Sequence, residues 1–176
     1  MMEPREQPGL IVTLEERQRA VAEWLLVASP DPRGALQDWI NTGITVLACD
    51  AVLSAVRMPT ALVQAAVGTD NPDEVAGYLA ASLCGGPVIA STDGLTYYAL
   101  VPPSTRKRRL PRDTECLDRS ALLVAPRPDL TDPSDHGRAS YWAVPMDGPG
   151  DLCQPDAVIQ LATVGSYRRA QRGLTQ

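Results

Sequence analysis

An α+β fold is predicted, one domain built largely of antiparallel β-hairpins packed with helices. Three observations predict it. Amphipathic helical segments alternate with short β-branched runs. Successive strand runs are joined by tight turns, which favours antiparallel pairing. The 176 residues contain 44% hydrophobic and 21% charged positions, enough for one core and ordinary for a globular chain.

The elements follow in order. Residues 1–12 are polar and aperiodic and are expected to form a flexible tail. Thr13-Leu14-Glu15-Glu16 matches a capping box and opens a helix whose apolar stripe is Val21, Trp24, Leu25 and Ala28. Pro30-Asp31-Pro32 stops it. Asp31 caps a second helix with Pro32 in its first position and Leu36, Trp39 and Ile40 on its buried face. Gly43 breaks that pattern. Ile44 to Cys49 reads as a strand, and Val52 to Arg57 reads as its hairpin partner. Pro59 starts a helix through Val67, with Gly68 as its left-handed terminus. Asn71-Pro72 starts another, through about Leu83.

Pro87 to Ala90 and Thr96 to Val101 flank Thr92-Asp93-Gly94, a strong hairpin signal because Gly accepts the positive φ of the turn. Two short strands are predicted at 114–118 and 120–125, a long Pro/Asp loop at 126–139, and a strand at Tyr141 to Val144. Pro155 begins a last helix with Ala157, Val158 and Leu161 inward and Gly165 past its end. The domain therefore spans 13–165, and 166–176 is expected to be a flexible basic tail.

Composition excludes several classes. No apolar run reaches the ~20 residues of a membrane span. MMEPREQPGL has no cationic region followed by an apolar stretch, so no secretory signal and a cytoplasmic location are expected. Sixteen basic residues stand against 21 acidic ones, a net charge of −5, opposite to a protein that coats duplex DNA. Lys107 is the only lysine. Arginine in place of lysine, many Ala, Gly and Pro and no Phe suggest a high-GC genome, such as an actinobacterial one.

Cys49, Cys84, Cys116 and Cys153 include no CxxC pair and read as reduced, partly buried thiols. With one histidine, a clustered zinc site is improbable. That residue, His136, lies in a polar loop and reads as solvated. The pieces CGGP and GPG lack the spacing of a phosphate loop or a dinucleotide fingerprint, so no cofactor is expected.

Chemistry-bearing residues gather mainly at Arg106-Lys107-Arg108-Arg109, with Arg112 close behind. Basic side chains beside an aromatic ring can hold phosphates and stack the bases of a single strand. Tyr97 and Tyr98 are adjacent on a strand and point to opposite faces, so one ring, assigned as Tyr98, can join that platform. A solvated basic loop offsetting local acids is the competing reading. Asp50, at a strand end, stands alone as a candidate metal ligand: a partner two residues on would be position 52, which is Val52.

The pieces WLLVASPDPRGALQDW, GITVLACDAVLSAVRMP, GGPVIASTDGLTYYALVPP, ECL…SALLVAPRPDL and SYWAVP with PGDLCQPDAV occur consecutively from Trp24 to Leu161. In that order the chain resembles the N-terminal domain of bifunctional DNA primase/polymerases, the archaeo-eukaryotic primase-like group, in a degenerate actinobacterial form. The resemblance implies a primase/polymerase-like scaffold. Active members carry D-x-D on the second strand, a histidine on a following strand and a later acid. Here DAVLSAV holds only Asp50, and the other two groups are missing. Without paired carboxylates the cage for two Mg²⁺ is absent.

The expected function is therefore a non-catalytic, nucleic-acid-associated binding or regulatory protein. Its expected partner is single-stranded nucleic acid or a replication or transcription protein, with no membrane contact. One alternative is a protein-interaction or homo-oligomerisation module using apolar faces of ALVQAAV and ALLVA. Another is an enzyme with a divergent, metal-dependent nucleotidyl-transfer site around Asp50, Asp93, Tyr97 or Asp113.

Overall fold

The computed structural model describes residues 12–135 and 137–174; His136 and most of the 1–12 segment lie outside them. The described chain is α+β, with every strand pair antiparallel. Helices α1 (Leu14–Leu26) and α2 (Pro32–Thr42) precede β1 (Ile44–Ala48) and β2 (Ser54–Pro59). Helices α3 (Thr60–Val67) and α4 (Pro72–Ser82) follow, then β3 (Val88–Ser91) and β4 (Thr96–Val101). A 3₁₀ turn (Pro103–Lys107), β5 (Glu115–Cys116), β6 (Leu122–Pro126), β7 (Ser140–Val144) and α5 (Pro155–Gly173) complete the order.

Local signals act as the sequence implies. Thr13 and Glu16 form the reciprocal capping box of α1. Asp31 accepts the Gly34 N–H, and Asn71 accepts those of Asp73 and Glu74, so both helices start on a side-chain cap with proline behind it. Gly43 and Gly68 end α2 and α3 at φ 78° and 94°, a region costly for residues with a Cβ.

Pairing departs from the sequence reading. β2 is not the hairpin partner of β1. The strands form a five-stranded sheet, β5-β2-β4-β3-β7, and a two-stranded ribbon of β1 with β6. The link between β1 and β2 crosses from one layer to the other, burying Leu53 on the way. The strands expected at 114–118 and 120–125 likewise divide between the two sheets. The β3–β4 hairpin forms as expected, with Gly94 at φ 74°. Gly165 does not end the last helix. It is buried inside α5, which runs on to Gly173 through the expected basic tail.

Strand alternation divides the core in two. On one face of the large sheet, Val56, Met58, Val88, Ala99 and Val101 pack with Leu62 and Val63 of α3, Val75 and Leu79 of α4, and Val158 and Leu161 of α5. On the other face, Ala55, Ile89, Leu100 and Trp142 pack with Leu47 and Leu123 of the ribbon, Val21 and Leu25 of α1, and Trp39 of α2. Tyr97 joins the first core and Tyr98 borders the second, as their adjacency requires. In α2 the buried pair is Ala35 and Trp39; Leu36 and Ile40, expected inside, are 43% and 60% exposed.

Two tryptophans anchor the ribbon. Trp39 Nε1 donates to the Ala125 carbonyl and Trp142 Nε1 to that of Pro126, each at 3.0 Å. The long loop after β6 is tied to the end of α2. The Arg127 N–H donates to the Gly43 carbonyl at 2.8 Å, and the Arg138 guanidinium donates to the Thr42 carbonyl at 2.9 Å.

All four cysteines are free thiols, with Cys49 and Cys153 buried. Burial pushes the Cys153 thiol from 9.0 to about 12. Burial and then the neighbouring Cys116 raise Cys49 to about 11. Burial and then Tyr141 raise the Tyr97 phenol from 10.0 to about 12. In the fold these groups keep protons that the unfolded chain has already lost at the same alkaline pH. Their contribution is complete below the unfolded values and is lost as pH rises through the folded ones. The urea midpoint should therefore fall as pH rises from about 9 to 11. Cys153→Ala should flatten part of that fall. A midpoint constant across the window would refute this account.

Candidate functional site

The 3₁₀ turn begins at Pro103, just after β4, and puts the start of the basic run on a defined support. Its members do different things. The Arg106 guanidinium donates to the carbonyls of Cys49 and Asp50, at 3.1 and 3.0 Å, and so ties the turn to the end of β1. Arg108 pairs with Asp156 in the first turn of α5. Lys107, Arg109 and Arg112 are exposed and form no ion pair among the described residues.

The far half of α5 adjoins this segment. Ser166 Oγ donates to the Arg112 carbonyl at 3.5 Å, and Arg169 lies 3.4 Å from the Asp113 carboxylate. Arg172, one turn further, is exposed. Sequence reading had separated these arginines from the site by assigning them to a tail. The continuation of α5 past Gly165 brings Arg169 alongside Asp113.

Tyr98 is elsewhere. It is half-buried on β4, directly opposite Arg57 of β2. Both line a cleft of about 330 Å³ between the large sheet and β6, whose other walls include Glu115, Leu122, Val124 and Ser140. None of residues 106–112 lines that cleft. The ring assigned to the basic run thus lines a cleft to which that run contributes no wall.

Of the cleft's polar residues, Arg57, Glu115 and Ser140 were missed in the sequence. Arg57 is the one charge within a buried run, and period-two alternation puts it on the Tyr98 face, but only after β2 and β4 are known to pair. Arg57 Nη2 lies 3.1 Å from Glu115 Oε2 across the β2–β5 edge. Ser140 faces Ser91 across the β3–β7 pair.

Asp50 is exposed at the end of β1, with its carboxylate 3.7 Å from Arg119. Among the described residues, no three His, Cys, Asp or Glu side chains converge in a way that could hold a metal ion. Asp93 accepts from the Ser91 hydroxyl and, at 2.9 Å, from the Leu95 N–H; these bonds hold its carboxyl below the usual range and make it a turn residue. Asp113 sits at φ 66° beside Arg169. Tyr97 is buried on the other face of the sheet.

ALVQAAV contributes Leu62, Val63, Ala65 and Ala66 to the interior, so it offers no apolar docking face. ALLVA does leave Leu122 and Val124 partly exposed at the cleft, with the exposed Val46 paired to Val124 in the ribbon. Among the described residues, no helix is long and apolar enough to cross a membrane. Comparison of the chain with family models, curated proteins and solved structures finds no match.

Proposed function

We propose that this chain is a non-catalytic, primase/polymerase-like α+β domain that acts as a nucleic-acid-associated binding or regulatory protein. One observation carries the reading: Lys107, Arg109 and Arg112 are exposed and form no ion pair among the described residues, and Arg112 lies against the arginine-bearing half of α5. On a chain of net charge −5, such a concentration is local rather than general. It suits a short stretch of phosphates on a single strand better than the long track of a duplex. The lone Asp50, placed beside Arg119, supports a binding role over nucleotidyl transfer.

Anisotropy of labelled single-stranded DNA and RNA, titrated across a salt series, tests this. Affinity should fall steeply with salt. Replacing Lys107, Arg109 and Arg112 together by alanine should lower the logarithmic salt slope by about 2, at ~0.7 per phosphate contact on a single strand. The loss should be similar for all sequences. Arg106→Ala is the control: its guanidinium is committed to two carbonyls, so it should cost stability and leave the slope unchanged. A slope unmoved by the triple substitution would remove this surface from the proposal.

A second reading, a protein-interaction or homo-oligomerisation module, is favoured by the exposed apolar face of Val46, Leu122 (61% exposed) and Val124. Sedimentation of the wild type against Leu122→Asp separates the two. A mass that does not change with concentration speaks against self-association.

A further inference from the structure

We infer that the cleft between the five-stranded sheet and β6 binds an uncharged, planar, hydrogen-bonding heterocycle of the nucleobase kind. This goes beyond the basic surface and does not depend on it, since no residue of 106–112 reaches the cleft.

The first observation is an unsatisfied hydroxyl. Ser140 is 4% exposed, and among the described residues its Oγ has no hydrogen-bond partner. Buried polar atoms are nearly always paired, so one left alone in a cleft wall signals a missing partner. Alternation along β7 puts Ser140 on the face of Trp142, which is the face of Tyr98 and Arg57. Its neighbour Ser91 is engaged with Asp93 and Thr96 and forms no hydrogen bond to it.

The second observation is charge. Among the described residues the only charged groups lining the cleft are Arg57 and Glu115, and they neutralise each other at 3.1 Å. An anion would meet the Glu115 carboxylate and a cation the Arg57 guanidinium. A neutral ligand meets neither penalty. It can instead use both, accepting from an arginine N–H and donating to a carboxylate oxygen left over by the pair.

The third is shape and surface. Tyr98 supplies an aromatic face, while Leu117, Leu122 and Val124 supply apolar walls. A volume of about 330 Å³ is at the small end of ligand pockets. A flat heterocycle with donors and acceptors on its rim satisfies the ring, the walls and the hydroxyl together. Such a group could come from a base on a strand held at the basic surface, or from a free small molecule.

The test uses the full chain and the four ribonucleosides, which carry no phosphate and so bypass the basic surface. Amide chemical shifts in two-dimensional NMR are followed at millimolar nucleoside. Shifts should concentrate at residues 57, 91, 98, 115 and 140. Ser140→Ala should keep or raise the melting temperature and weaken binding about 3- to 10-fold, the worth of one hydrogen bond. Tyr98→Leu, which keeps apolar bulk, should weaken it about tenfold through lost stacking. No shift with any nucleoside overturns the assignment, as do shifts confined to 107–112 or shifts unaltered by both variants. Oligonucleotides with abasic positions then separate the sources. Affinity lost with the bases assigns the cleft to a strand; affinity retained while nucleosides bind assigns it to a free heterocycle. The triple substitution at the basic surface should leave nucleoside binding intact, so the two proposals fail independently.

Discussion

Trp142→Ala should destabilise the protein by about 3–5 kcal/mol, the range for truncating a buried tryptophan. The side chain is 1% exposed at the centre of the second core, packed among residues of α1, α2, the ribbon and the large sheet. Its indole N–H also satisfies the Pro126 carbonyl. Truncation leaves a cavity and orphans that carbonyl, and both costs fall where the ribbon meets the sheet. For a chain of this size the melting temperature should drop by about 10 °C, at ~2–4 °C per kcal/mol. Trp142→Phe retains most of the volume and loses the donor, so it should lie between wild type and Trp142→Ala. A urea midpoint for Trp142→Ala close to wild type would mean that this cluster does not hold the two sheets together.

Gly165→Ala should cost about 1–3 kcal/mol, against the trend for its position. Inside a helix, alanine normally exceeds glycine by about 1 kcal/mol. Here a Cβ would stand 2.4 Å from the Leu62 carbonyl oxygen and 2.9 Å from Leu62 Cδ2. Backbone cannot rotate away, so α5 must move off α3, and the first core opens along Leu161 and Ala162. Gly77, inside α4, is the matched control, since nothing lies within 4 Å of its would-be Cβ. Gly77→Ala should stabilise by about 0.5–1 kcal/mol. Opposite signs for the two substitutions, read from urea denaturation, are the expected result. Two stabilised variants would show that α5 does not pack closely on α3.

These glycines also show what a single sequence can express. Whatever is decided within a few residues was legible: the Asp31 and Asn71 caps, the left-handed Gly43 and Gly68, and the Asp93-Gly94 turn. Gly165 resembled a helix end because the sequence does not carry the Leu62 carbonyl it must approach. In α2, Ala35/Trp39 and Leu36/Ile40 are equally good i, i+4 pairs. Periodicity cannot choose between them; the Ala125 carbonyl waiting for an indole N–H does. The β1–β2 hairpin was inferred from a short link, but that link spans two layers. The candidate site divides likewise. A run of cations is visible as composition, whereas Arg57, Tyr98, Glu115 and Ser140 come from four strands and meet only through register.

The β1–β6 ribbon also dictates an order of assembly. The β3–β4 hairpin closes over a four-residue turn, an event of about 1–10 μs. The ribbon pairs Ile44 with Pro126 and Ala48 with Leu122, so β2 through β5 must leave the ribosome before its second strand exists. Until then Leu25, Trp39 and Leu47 have been synthesised without the Leu123 and Trp142 that cover them. At ~5–20 residues per second, that interval lasts seconds, long beside hairpin closure. The helical half of the second core is thus the part of the nascent chain most exposed to premature association.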